Sequence, residues 1–339
     1  MLITYIRSSS YNNYEFCQLQ YFMTYVLGLP SDSGKAAERG TMVHKVMEVL
    51  ANLRLFQQEN PKRKFLETTD DVLKKVRVKT DRLMEKDFVE ELLDLSYTGY
   101  RKDSPNKWAP VDRKEISRLT WLGLDHNNGQ FDPRLRQILN PEPHFDIEIK
   151  EDWAKYEYEV GGKPLVGNLA IKGTIDLVTT IDDDTIEVLD WKTGQRKNWA
   201  TGEKKTYAKL CEDPQLLLYY YAISNLYPEY KNVIMSIFYV KDGGPFSMCW
   251  DDNDKVKFLK MLKDRFLQIK KNNKPIPISY DRSNFKCTRL CHYCKNKWQG
   301  SNKSMCQYVG DYVDKYGIDK ASHDLKHKDF TIGHYEAPG

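Results

Sequence analysis

Apolar positions recur along this chain with two different periods. Met42, Val43, Val46, Met47, Leu50, Leu53 and Phe56 fall three or four residues apart, as do Val256, Leu259, Leu262, Phe266 and Ile269; each set draws one apolar stripe along a helix. Between them lie runs rich in β-branched and aromatic residues, bounded by Gly, Pro, Asn or Asp, which predict strands over 143–148, 155–160, 170–180, 185–191, 233–240 and 245–250. A helix interrupts these strands, DPQLLLYYYAISNLY, with Asp213 as its N-cap and Pro214 in the first turn, where a backbone donor would be unpaired anyway. Residues 69–95 are expected to form a strongly charged helix, and the stretch on to 140, with SPNK and HNNG, loops and short helices. The span 69–140 is therefore expected to be an insertion. Helices framing strands, with one helix among them, predict a mixed α/β domain.

The run from Ala170 to Trp191 predicts two strands joined at Asp182, Asp183 and Asp184. A turn centred on Asp183 sets Val178 against Val188, Thr180 against Ile186 and, at the far end, Asp176 against Asp190, with Lys192 next along the same face. Opposed residues in a sheet stand about 4.5–5.5 Å apart at Cα, so two facing carboxylates repel unless a positive charge stands between them. A divalent cation, Mg²⁺ or Mn²⁺, would relieve that repulsion and supply Lewis acidity, while the Lys192 ammonium neutralises charge developing on a phosphorane. The chemistry so implied is phosphodiester hydrolysis. The alternative is an ordinary salt bridge of Lys192 with the two aspartates.

With 339 residues, 40% hydrophobic and 29% charged, the chain can build a substantial core. Its formal charge of +4 does not by itself indicate a polyanionic partner, but local runs do. Arg282, Lys286, Arg289, Lys295, Lys297 and Lys303 occur with no Asp or Glu among them, giving 282–310 a field suited to phosphates or simply a solvated surface. After Lys192, Arg196, Lys197, Lys204, Lys205 and Lys209 interleave with Trp199 and Tyr207, a mixture that suits single-stranded nucleic acid, a plain surface loop being the other reading. No run of about 18 apolar residues predicts a membrane span, and MLITYIRSSSYNNYEFC lacks the marks of a secretory leader, so a cytoplasmic, reducing location is expected. There the seven cysteines are expected to be metal ligands or buried thiols rather than disulfides. Cys211 and Cys249 stand alone and are expected in the core. Cys287, Cys291, Cys294 and Cys306 crowd a basic stretch poor in apolar residues, which points to metal.

Four segments, in order, resemble the PD-(D/E)XK nuclease superfamily, and within it the RecB-like branch with its AddB-type and CRISPR-associated iron-sulfur exonucleases. They are RGTMVHKVME (39–48, with His44), GTIDLV (173–178, with Asp176), IEVLDWKTGQ (186–195, with Asp190 and Lys192) and QLLLYY (215–220, with Gln215 and Tyr219). The resemblance runs from about Ser8 to Cys306. It implies a restriction-endonuclease-like core, a central mixed β-sheet flanked by helices, in one nuclease domain over 1–339. It also implies that His44, Asp176, Asp190 and the Trp191 carbonyl hold Mg²⁺ or Mn²⁺, and that Lys192 is the catalytic lysine. Gln215 and Tyr219, four apart on one helical face, are then placed to contact a phosphate or the scissile strand, packing of Tyr219 in the core being the alternative. Glu148 stands where the family sometimes carries a further acid.

Iron-sulfur members use one early and three late cysteines, which implies a [4Fe-4S] cluster on Cys17, Cys291, Cys294 and Cys306. The eleven residues between Cys294 and Cys306 make an unusually long gap, and Cys287 offers an alternative fourth ligand. Zn²⁺ on Cys287, Cys291, Cys294 and Cys306, with or without His292, also remains open. The function expected is that of a Mg²⁺- or Mn²⁺-dependent DNA exonuclease acting on single-stranded ends. The alternatives are a non-catalytic nucleic-acid-binding subunit with the same fold and cluster, and a zinc-containing DNA-binding protein. No G-x4-G-K-[ST] phosphate loop is present, so a helicase or a recombination or replication partner would supply any unwinding. A compact nuclease without a motor suits the cytoplasm of a bacterium or a phage-infected cell.

Overall fold

The computed structural model describes residues 1–160, 162–197, 202–281, 283–328 and 330. Strand β1 (Tyr5–Ile6) leads into helices α1 (Ser8–Phe16) and α2 (Gln18–Tyr21) and then the long α3 (Lys35–Glu59). Next come β2 (Phe65–Asp70), β3 (Lys74–Lys79), α4 (Lys86–Asp103) and α5 (Pro110–Leu124). Seven strands follow: β4 (Ile138–Pro141), β5 (His144–Glu148), β6 (Lys155–Val160), β7 (Lys163–Asn168), β8 (Ala170–Thr174), β9 (Leu177–Asp182) and β10 (Thr185–Lys192). Helices α6 (Tyr207–Cys211) and α7 (Pro214–Leu226) precede β11 (Asn232–Tyr239) and β12 (Gly244–Cys249). Then come α8 (Asp252–Lys271), α9 (His292–Lys295), α10 (Met305–Tyr316) and α11 (Ile318–Asp324).

The largest sheet has the order β12-β11-β10-β9-β4, and a smaller one the order β1-β8-β5. In the larger, β10 runs parallel to β11 and antiparallel to β9, a mixed sheet. A parallel pair needs a crossover, and α7 lies within it. Every residue of β10 from Thr185 to Trp191 is buried, because both faces of the strand are covered. Ile186 and Val188 join a core with Leu218, Ile223, Phe258 and Phe266 of α7 and α8. Leu189 and Trp191 join a second core with Met47, Leu50 and Leu119 of α3 and α5. The α/β architecture, a central mixed sheet flanked by helices, is the one expected, and α3, α7 and α8 form where the apolar period placed them.

Other expectations are corrected. Residues 69–95 are not one helix: in Lys74–Lys79 buried Val76 and Val78 alternate with exposed Lys75, Arg77 and Lys79, a strand period that places β3 against β2. The turn between them is closed by the Asp70 carboxylate, which accepts from Val72 N at 2.8 Å and Leu73 N at 2.6 Å. Buried Lys45 pins this hairpin to α3, reaching Glu48 at 2.7 Å, Asp70 at 2.9 Å and Asp71 at 3.3 Å. The stretch after residue 95 is also more helical than expected. It holds the end of α4 and all of α5, which starts at Pro110 with the Asp112 carboxylate accepting from Ala109 N at 2.9 Å. The strand expected over 170–180 breaks at Ile175 and Asp176, β8 joining the smaller sheet and β9 the larger. Strand β7 was not expected, since Pro164 and Gly167 disguise it; among the described residues it pairs with β6 alone. Cys249 is exposed at the end of β12 and Cys211 half-buried, so neither is a fully buried core cysteine.

The amino-terminal and cysteine-rich segments pack together. Tyr293 Oη donates to Leu29 O at 2.7 Å, and Leu19 N donates to Ile276 O at 3.2 Å. Among the described residues no helix is long and apolar enough to cross a membrane.

Candidate active site and cysteine site

Strands β9 and β10 pair Val178 with Val188 and Thr180 with Ile186, the register expected. Extending that register sets Asp176 across from Asp190, but the chain has left the ladder before Asp176. Its carboxylate therefore turns to accept from Trp191 N at 2.7 Å and to meet His44 Nδ1 at 3.2 Å. The break between β8 and β9 thus frees Asp176 to reach α3. Asp190 faces the other way, towards α7. Its carboxylate takes Lys192 Nζ at 2.6 and 2.8 Å, and Gln215 Nε2 lies 3.5 Å from it while donating to Tyr219 Oη at 3.0 Å. Gln215 is held by the cap of α7, where the Asp213 carboxylate accepts from Gln215 N at 3.0 Å.

Electrostatics separates the two aspartates. Burial pushes Asp190 up, and the Asp176 charge adds to this against Lys192, so its carboxyl titrates at about 6. Burial acts the same way on Asp176, but His44, Lys192 and the Trp191 N–H outweigh it and hold that carboxyl low. Burial disfavours a charge on His44, yet the Asp176 carboxylate overcomes it and raises the imidazole above its ordinary value. Lys192 is likewise raised against burial, chiefly by Asp190, and stays an ammonium. Burial and the nearby carboxylate of Asp190 push Tyr219 up, so it stays a phenol.

The donor set is of the oxygen and nitrogen kind that hard divalent ions take. Asp190 is 3% exposed at its side chain, and its Oδ2 receives no hydrogen bond of good geometry from the described residues, only the ammonium at 2.6 Å. Chemically, then, these residues fit a divalent cation. As the side chains stand, no three His, Cys, Asp or Glu groups among the described residues are arranged to hold an ion, because the charges are satisfied in pairs, His44 with Asp176 and Lys192 with Asp190.

Two acids near this site escaped sequence reasoning. Glu48 lies one helical turn beyond His44, a spacing that places it on the same face and could have flagged it. Glu142 follows β4, takes φ 52°, and its N donates to Asp176 O at 3.2 Å; nothing in its sequence context marks it. Burial, with Glu142 hydrogen-bonded beside it, pushes the Glu48 carboxyl up to about 7. Glu148, by contrast, is exposed at the end of β5 opposite Ala170, in the smaller sheet, and is not brought to Asp190.

Lys192 and Gln215 line a cleft of about 1020 Å³. Of the basic residues after Lys192, Lys197, Lys205 and Lys209 line it too. Arg196 and Lys204 do not: the Arg196 guanidinium lies 4.3 Å from the Phe246 ring and donates to Lys205 O, and Lys204 faces Asp242 at 3.9 Å. Lys205 pairs with Asp213, the cap of α7. Trp199 and Arg282 lie outside the described residues.

Cys17, Cys287, Cys291, Cys294 and Cys306 line one cavity of about 10 Å³, with Phe16, Met23 and Ile278. Cys17 caps α2, its Sγ accepting from Gln20 N at 3.4 Å, and burial raises its thiol. The Cys294 thiol donates to Cys291 and Cys306, which draws Cys291 down to about 7 and raises Cys294. Convergence of soft sulfur donors fits an iron-sulfur cluster or zinc, although here the thiols bond to one another.

The model of the PD-(D/E)XK nuclease superfamily matches residues 8–299. No curated protein matches the sequence. A solved protein of Eubacterium rectale, provisionally named an exonuclease, is similar at 11% identity over 90% of this chain and 92% of its own, with a TM-score of 0.37. The solved protein SSO0001 is similar at 15% identity over 62% of this chain and 80% of its own, with a TM-score of 0.23.

Proposed function

The chain belongs to the PD-(D/E)XK nuclease superfamily, and we propose that it is a divalent-metal-dependent deoxyribonuclease of the RecB-like branch that degrades single-stranded DNA from its ends. The observation that carries this reading is half-buried Lys192, held by buried Asp190, at the wall of a large basic cleft, with Asp176 and His44 beside it. His44, Asp176, Asp190 and the Trp191 carbonyl would hold Mg²⁺ or Mn²⁺, which when bound supplies Lewis acidity at the scissile phosphate. Lys192 is kept charged by Asp190 and offers its ammonium where negative charge grows on the phosphoryl oxygens. Gln215 fixes the rim by bridging Asp190 and Tyr219, and the Tyr219 phenol retains its proton. The lysines of the cleft track the backbone of a single strand, and half-buried Phe16 along the same cleft gives a base a flat surface.

In this reading the whole chain is one nuclease domain carrying an insertion over about 69–140, whose last residues enter the central sheet as β4, and the cysteine-rich segment over 282–310 closes it. Cys17, Cys291, Cys294 and Cys306 hold a [4Fe-4S] cluster, with Cys287 as the spare thiol, and a helicase or recombination partner supplies open strands. The test is degradation of 5′- and 3′-labelled single-stranded DNA by anaerobically purified protein with Mg²⁺ or Mn²⁺, beside Lys192→Ala. Cleavage lost in Lys192→Ala supports the reading and shows its polarity. DNA binding without cleavage in both proteins would replace it with the non-catalytic binding subunit. Iron and zinc analysis of the same preparation decides between cluster and zinc.

A further inference from the structure

Arg265, on α8, is the least expected group in the cleft. It is 9% exposed, lines the cleft, and its Nε has no hydrogen-bond partner among the described residues. A buried guanidinium is costly unless its charge and donors are satisfied. Here its carbon lies 4.3 Å from the centre of the Tyr11 ring and 5.2 Å from that of Tyr14. These two rings lie three apart on one face of α1, so the helix presents both to the same cation. Tyr14 is itself fixed, its Oη accepting from Asn272 Nδ2 at 2.9 Å. The ion-pair partner of Arg265 is Glu15, whose Oε2 accepts from Nη2 at 3.1 Å. Glu15 is 69% exposed at its side chain, so that pair is easily exchanged.

A planar fork set against two aromatic rings, with a donor unused and an exposed carboxylate as its partner, suits an oxyanion that arrives from the cleft. We propose that Arg265 is a fixed anchor for a phosphodiester of the bound strand away from the one hydrolysed at Lys192, and that the phosphate takes its place by displacing Glu15. The proposal rests on the nuclease reading for the identity of the strand. Of the cleft lysines, Lys197 and Lys205 stand on a loop and Lys209 on a short helix. Arg265 is already immobile, so less freedom is lost when a phosphate docks there. The strand would therefore be held by α1 and α8 as well as by the loop after Lys192.

The test is binding of a labelled single-stranded oligonucleotide to the full-length protein without divalent metal, over a range of salt, with melting temperatures recorded for each variant. Arg265→Gln is expected to weaken binding about tenfold or more, the scale of a charge-assisted hydrogen bond, and to lower the salt slope by about one phosphate contact. Glu15→Gln, at an exposed position, is expected to tighten binding about threefold by removing the competing carboxylate. If Arg265→Gln does not fold, Glu15→Gln alone decides. Unchanged or weaker binding by Glu15→Gln, or wild-type binding by a folded Arg265→Gln, overturns the proposal. Cleavage of the same oligonucleotide by wild-type protein with Mg²⁺ or Mn²⁺ is scored separately. Binding that responds to both substitutions without cleavage upholds the anchor and removes the nuclease reading, cleavage with no response does the reverse, and no binding by the wild type removes both.

Discussion

Asp190 and Lys192 stand two residues apart on one strand, whereas Cys17 and Cys291 are separated by most of the chain. The first pair needs only the pleat of β10 to share a face, and its surroundings are fixed by ladder register with β9 and β11. The second pair meets because the amino-terminal segment through Leu29 and the segment around Tyr293 pack together, through contacts such as Tyr293 Oη to Leu29 O. The chemistry differs accordingly. In the sheet, charges are held in rigid pairs, while at the cysteines the thiols bond to one another and Cys294 serves both Cys291 and Cys306. The Asp190–Lys192 pair needs no distant contact to share a face, whereas Cys17 reaches Cys291 through one.

The largest effect should come from the sheet. Lys192→Ala is expected to lower DNA cleavage about a thousandfold, the scale of losing a group that stabilises transition-state charge. Because it leaves Asp190 buried without its ammonium, it should also lower stability, and a melting curve beside the activity assay separates the two. Full cleavage by this variant would show that the sheet pair is not the reacting centre.

The cysteine site should respond the other way, in metal content and stability before anything else. Cys17→Ala and Cys294→Ala are expected to lose iron and to lower the melting temperature together, whereas Cys249→Ala, at an exposed strand end, should change neither. An unchanged metal content and melting temperature in Cys17→Ala would break the comparison, because the two ends of the chain would then not share one site.

How much of this was legible follows the same division. The register of β9 against β10, and with it the shared face of Asp190 and Lys192, could be read because period-two alternation and a three-aspartate turn set it. The break at Ile175 and Asp176 could not, since it depends on β8 being drawn to β1 and β5 by pairings such as Ile6 with Ile171. The β2–β3 hairpin was missed because its charged face looks like a solvated helix until Lys45 is seen pinning it from the far side. Glu142 reaches the site through tertiary folding alone, and Arg265 looks like one more cation on an amphipathic helix until α1 covers it. The late cysteines announced themselves by composition and Cys17 was joined to them by the family resemblance, while the packing that brings all five to one cavity could not be read from spacing.

The Glu48–Glu142 pair gives an intermediate effect with a definite sign. Glu48 titrates at about 7 in the folded chain against an ordinary value of 4.5. Between those values the folded form keeps a proton that the unfolded form has released, so stability falls as pH rises. The contribution is fully present below about pH 4.5 and lost as pH passes 7, up to about 3 kcal/mol across that window. Glu48→Gln should flatten this part of the profile of unfolding free energy against pH. A slope unchanged in Glu48→Gln would assign the titration elsewhere.

The smallest effect tests the wall of the cleft. Lys197 lines it, while Lys204 on the facing segment turns to Asp242, and the two residues bridge each other in antiparallel register. They share composition, exposure and neighbourhood, so a loop that acts only through net charge would make them equivalent. Counterion release counts phosphates contacted rather than charges carried. Lys197→Ala should therefore lower the salt slope of single-strand binding by about one, and Lys204→Ala should leave it near the wild-type value. Equal slopes for the two variants would mean that the loop attracts the strand by its field alone, and that the direction in which each lysine points has no bearing on where the backbone lies.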